Sequence, residues 1–136
     1  MHVATGGLAG AVTGSRGRAA ALGPLLHFAC DVVPHEDIRS RRFEVVSGAA
    51  ALLLLARRHG VGAVTIGAAA SAAPDLEHVL PLPRPRGRAL FPSHRWASPV
   101  RLPEIPAWLQ LAAATAILAR LCRGEAIVRA RRGPGG

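Results

Sequence analysis

The stretch Gly23-Pro-Leu-Leu-His27-Phe-Ala-Cys-Asp31-Val-Val-Pro34-His35-Glu36-Asp37 decides how this chain reads. An apolar run reaches its end and there carries two histidines and three carboxylates. His27 and Asp31 are four residues apart, so on a helix they project from one face. Pro34 stops that helix or bends the chain away, which leaves His35, Glu36 and Asp37 just past its end. Pro74-Asp75-Leu-Glu77-His78 is a shorter version after a second apolar run. The chain has eight Asp and Glu, and five of them fall in these two stretches. Ionisable groups set against apolar helices are costly unless paired or bound to metal. The grouping therefore marks a candidate site.

The expected fold is all-α, a small bundle of about five helices. His2 to Gly14 is small and apolar, with Gly6, Gly7, Gly10 and Gly14 spaced for close helix approach. Ser15 to Arg18 reads as a turn. Ala19 to Val33 follows as a helix with Pro24 as a kink or late start. Ser40 is a plausible N-cap for a helix over Phe43 to His59, and Gly60 suits its C′ position. Val61 to Ala73 is a fourth helix ending at Pro74. Residues 1–80 form the expected core and 81–106 a Pro/Arg-rich loop without regular structure. A C-terminal helix spans 107–129, and 130–136 is a basic tail.

The core also suggests a duplicated helical hairpin, with repeats over 2–37 and 44–78. His2-Val-Ala-Thr5-Gly6 resembles Glu44-Val-Val-Ser47-Gly48, and the Gly23/Asp31 spacing recurs at Gly67/Asp75. A two-residue gap reconciles the two offsets. The duplication would place His2 opposite Glu44, and Asp31 opposite Asp75.

At 136 residues the chain suits one domain with one modest core. All 17 basic residues are Arg, and the net charge is +9. The Arg residues are spread over every connector and aromatics are 4%, unlike the grouped charge and stacking rings of a nucleic-acid surface. Nucleic acid is therefore disfavoured as a partner. Mean hydropathy is positive, and the Ala/Gly/Leu runs leave little polar face for water. Membrane association is the favoured reading. The helix over 107–129 is the candidate span, with a snorkelling Arg at its end. Cys30 and Cys122, far apart with no CxxC, read as small buried apolar residues. No secretory signal is expected at Met1-His2.

Residues of ligand type are His2, His27, Asp31, His35, Asp37, Glu44, Asp75, Glu77, His78 and His94; His27, Asp31, Asp75 and His78 are the first-choice metal ligands, with His2 and His35 completing the set. Imidazole and carboxylate together suit a divalent metal, Zn first and Mn or Fe next. Hydrolytic use of a metal needs an open position for water and a proton acceptor. Glu77 or Asp37 would be that base, and Arg95 would clamp an anion. His59, beside Arg57, Arg58 and Gly60, reads as a helix C-terminal cation. His94, in the Pro-rich loop, is set aside as a ligand.

The pattern His2-x-x-x-Gly6, then Pro74-Asp75-Leu-Glu77-His78 after an apolar helix, then His94-Arg95, resembles a family of small bacterial inner-membrane proteins, the membrane-bound metal-dependent hydrolases. The resemblance covers roughly residues 2 to 96. The chain departs from that family after His94-Arg95, where Trp96-Ala-Ser-Pro stands in place of Gly-x-Thr-His-Ser. The resemblance implies a helical, membrane-embedded, metal-binding protein. His27 and Asp31 alone also resemble the HxxxD pattern of zinc-dependent phospholipase C. The expected function is metal-dependent hydrolysis of a phosphoester or lipid-like substrate at the bacterial inner membrane. The alternative is a noncatalytic membrane protein with a structural His/Asp network.

Overall fold

The computed structural model describes residues 1–95 and 100–124. Among them the regular structure is helical: α1 His2–Thr13, α2 Arg16–Val32, α3 Arg41–His59, α4 Ala63–Ala72, the single turn α5 Leu76–Val79 and α6 Ala107–Arg123. Caps set the ends, Ser40 and Gly60 as expected and Ser15 and Gly14 in addition. Ser15 Oγ accepts from Arg18 N at 3.4 Å and Ser40 Oγ from Phe43 N at 3.3 Å, each relieving an unpaired amide of a first turn. Gly14 and Gly60 close α1 and α3 at φ 62° and 57°, where a side chain would be strained. The second helix begins at Arg16, earlier than expected, because Ser15 caps it, and it runs through Pro24.

Two helical hairpins, α1–α2 and α3–α4, follow one another, and α4 packs between α1 and α2. The crossings are backbone to backbone. A Cβ built on Gly6 would lie 2.2 Å from the Gly67 carbonyl oxygen, and one on Gly23 would lie 2.5 Å from Ala70 Cβ and 2.7 Å from Ser71 N. Only glycine permits such approach. The packing fixes the register of α1, α2 and α4, and all three carry residues of the candidate site. Leu55, Ala68 and Leu121 form a small buried cluster, flanked by Val3, Leu52, Val64, Ile117 and Leu118.

The expected duplication sets Gly48 opposite Gly6. Gly6 is locked against α4, whereas Gly48, its counterpart, faces open space. Much of α3 is exposed, including Phe43 at 46% and Val46 at 60%.

Among the described residues no helix is long and apolar enough to cross a membrane. The span expected over 107–129 is corrected accordingly. Helix α6 has 17 residues and stops at Gly124, φ 67°. At about 1.5 Å per residue it falls short of the ~30 Å hydrocarbon core. Residues 125–129 and the basic tail 130–136 lie outside the described residues.

Among its described residues the 81–106 loop holds only short 3-10 turns, at Pro85–Gly87 and Ser93–Arg95. Its far end is braced by the segment after α2. Glu36 N donates to the Ile105 carbonyl and Ile105 N to the Pro34 carbonyl, both at 3.0 Å. The Glu36 carboxylate accepts from Ala107 N at 3.1 Å, which supplies an acceptor and a negative charge at the start of α6.

Candidate metal centre

His27 lies one turn beyond Gly23 on α2 and is fully buried. The close approach at Gly23 brings its Nδ1 to the Ser71 carbonyl at 2.8 Å. That carbonyl belongs to the last turn of α4, where intrahelical partners run out. His94 is held in the same manner from another direction. Its Nδ1 bonds the carboxylate of Glu77, itself 3% exposed and anchored by the amides of Leu90 and Phe91. A carbonyl and a carboxylate are acceptors, so both Nδ1 atoms donate.

The consequence is that the two Nε2 atoms turn toward each other, 3.1 Å apart. Around them stand Asp31 Oδ2, 3.1 Å from His27 Nε2 and 3.5 Å from His94 Nε2, and Asp75 Oδ1, 3.7 Å and 3.8 Å from the same atoms. Ser93 Oγ donates to Asp31 Oδ2 and orients it. The His2 ring lies over His27, centroids 4.0 Å apart, with its Nε2 3.3 Å from Asp31 Oδ1.

Electrostatics follow from this crowding. Burial alone would raise the Asp31 pKa, but hydrogen bonds from His27 and Ser93 hold it down at about 2. Burial and the neighbouring His27 push His2 down to about 3. Burial opposes charge on His27, yet Asp31 and Asp75 together raise its pKa. Burial raises Asp75, with His27 offsetting it in part. Burial also works against the Glu77 carboxylate, and the donors His94, Leu90 and Phe91 overcome it, so Glu77 is ionised more readily than usual.

A metal fits two overlapping groupings here: His27, Asp75 and His94 bring ligand atoms within 4.8 Å of one another, and so do His2, His27 and Asp31. Neutral imidazoles with a carboxylate offset the charge of a divalent cation. Ligation with Zn–N near 2.0–2.1 Å implies ligand–ligand edges of about 3.3 Å, and the five distances above bracket that value. Carboxylate and imidazole donors suit Zn, Mn or Fe. The second partners of His27 and His94 have the form that metal-bound histidines show. Asp75, its side chain 44% exposed, is the solvent side of the set.

The residues singled out from sequence separate into groups. His2, His27, Asp31 and Asp75 come together. His78 stands beside them, its ring 4.2 Å from that of His94, and could join a separate grouping with Glu77 and His94. His35 and Asp37 are not in the cluster: His35 Nδ1 bonds the Val33 carbonyl at 2.7 Å, its Nε2 lies 3.9 Å from Asp37, and the Asp37 side chain is 94% exposed. The strand-like pairing of His35 with Ile105 holds that segment toward α6 instead. Glu77, expected as a free base, has its oxygens committed to His94 and two amides. Arg95 bonds the Ala89 and Leu90 carbonyls and ties down its own loop. Glu44 lies in the exposed first turn of α3, and partial desolvation, with Asp37 and Asp75, raises its pKa. Both cysteines are free and half-buried.

The reading of residues alone set His94 aside. The signal that favoured it was the His94-Arg95 pair within the family-like pattern. Ser93 and the Ser71 carbonyl carried no signal, because their part is set by packing. No family model, no curated protein and no solved structure matches the chain.

Proposed function

We propose that the protein is a metal-dependent hydrolase acting at a membrane surface on a phosphoester or lipid-like ester. His27, Asp31, Asp75 and His94 hold the metal, Zn first and Mn or Fe next. One observation carries the reading: two imidazole Nε2 atoms face each other at 3.1 Å, with their Nδ1 protons already given to Ser71 and Glu77. Acceptor atoms grouped in this way suit a cation. A bound divalent cation supplies Lewis acidity and lowers the pKa of water.

The chain's own groups divide the remaining work. Ser71 and Glu77 fix the tautomers, and Ser93 orients Asp31. His78 is largely exposed, and partial desolvation and the nearby His94 lower its pKa, which favours the neutral ring. It accepts the proton as water's hydroxyl joins the phosphorus or acyl carbon, and returns it to the leaving oxygen. Exposed apolar side chains on α3 and on α6, Trp108 at 68% among them, together with the +9 charge, support an anionic lipid surface as partner, in the setting of the bacterial inner membrane.

The test is metal content by plasma mass spectrometry on wild type and on His94→Ala and Asp75→Ala. Stoichiometric Zn, Mn or Fe in wild type and its loss in both variants is expected. No metal in wild type after reconstitution overturns the reading. It would leave a structural network in which one proton on His27 replaces the cation.

A further inference from the structure

Asp31 turns its two oxygens to different histidines. Oδ2 faces His27 and His94 at 3.1 Å and 3.5 Å, while Oδ1 faces His2 Nε2 at 3.3 Å. His2 and His27 are stacked, 4.0 Å between centroids and 31° from parallel. Two such rings present their Nε2 atoms side by side to the opposite oxygens of one carboxylate. A cavity of about 430 Å³ adjoins Asp31 and is lined in part by Val33, His35 and Asp37. It leaves room for water or substrate on the Asp31 side of the cluster.

We propose a second cation position, held by His2 Nε2 and Asp31 Oδ1, with Asp31 bridging it to the set of His27, Asp75 and His94. The inference rests on the metal reading above and deepens it. His2, which is not among those three residues, gains a role. Carboxylate-bridged metal pairs serve in-line displacement at phosphorus. Of the two substrate classes named above, the phosphoester is therefore favoured. Two protein ligands make this the weaker of the two positions, filled at higher metal concentration than the first.

Mn²⁺ titration of the full chain, followed by metal analysis and electron paramagnetic resonance, tests this without reference to activity. Wild type is expected to bind two Mn²⁺ and to show the exchange-coupled spectrum of a bridged pair. His2→Ala is expected to bind one, with an uncoupled six-line spectrum. His2→Gln, which keeps side-chain bulk, is carried beside it with circular dichroism to separate a lost ligand from a lost fold. One Mn²⁺ in wild type, unchanged in His2→Ala, overturns the second position and leaves the first intact. Two ions without coupling overturn the Asp31 bridge. No Mn²⁺ in wild type overturns both readings.

Discussion

His27 and His94, 67 residues apart in the chain, face each other through their Nε2 atoms at 3.1 Å. Each ring is held from behind by an acceptor, the Ser71 carbonyl or the Glu77 carboxylate. The geometry of the centre thus depends on atoms that would touch no metal.

Glu77→Gln tests that dependence. The amide nitrogen would have to face a donor, either His94 Nδ1–H or the amides of Leu90 and Phe91. Metal affinity should fall about 10–100-fold, the usual cost of losing an outer carboxylate partner. Stability should fall by about 1–3 kcal/mol for the unpaired buried group. Calorimetric titration and thermal unfolding measure the two separately. An unchanged affinity would show that His94 needs no orienting partner.

Acid should destabilise the metal-free protein in two windows. His2 stays unprotonated down to about 3 in the fold, against 6.5 when unfolded. The unfolded chain therefore takes up a proton that the fold refuses, and stability declines from pH 6.5 toward 3. Asp31, at about 2 in the fold against 3.8 unfolded, adds a further loss between those values. Melting temperatures by circular dichroism should show both, and His2→Ala should flatten the upper window. A flat profile above pH 4 would contradict the burial of a neutral His2.

His27 has the opposite sign. Its pKa is raised, so its contribution is full below 6.5 and is lost as pH rises through the folded value. A metal displaces that same proton. Affinity should therefore climb with pH above 6.5, with proton release seen as a dependence of the binding heat on buffer ionisation enthalpy. Affinity independent of pH there would mean His27 is already neutral.

Gly6→Ala and Gly48→Ala make a matched pair. A Cβ at Gly6 meets the Gly67 carbonyl at 2.2 Å, while one at Gly48 meets nothing within 4 Å. The first change should force α1 from α4 and strip metal along with stability, at a cost of several kcal/mol or about the cost of severe overpacking. The second should stabilise the exposed helix by about 0.5–1 kcal/mol. Equal effects of the two would deny the α1–α4 crossing.

Trp108 reports on the lipid partner. Its ring is largely exposed on α6. Adding vesicles containing anionic lipid should shift its emission to the blue, and Trp108→Ala should weaken co-sedimentation while leaving folding stability within about 0.5 kcal/mol of wild type. No shift at low salt would remove lipid as a partner.

The sequence by itself determined the helices and much of their limits. Ser15 and Ser40 supply first-turn acceptors, Gly14 and Gly60 accept left-handed backbone, and these are local properties of the chain. It also determined that His27 and Asp31 share a face, because four residues are one helical turn. Tertiary structure alone decided the rest of the centre. Which helix meets which depends on backbone contacts such as Gly6 with Gly67, and nothing local encodes a partner. His94 sits in a loop without periodicity, so only the distant carboxylate of Glu77 places it. Glu77 looked like a free base because the two loop amides that occupy it lie 13 and 14 residues away. His35 and Asp37, so close in sequence to Asp31, are drawn off by the pairing of their segment with Ile105. Adjacency in the chain puts residues near one another, but the direction of a side chain past a helix end is set by what that segment packs against.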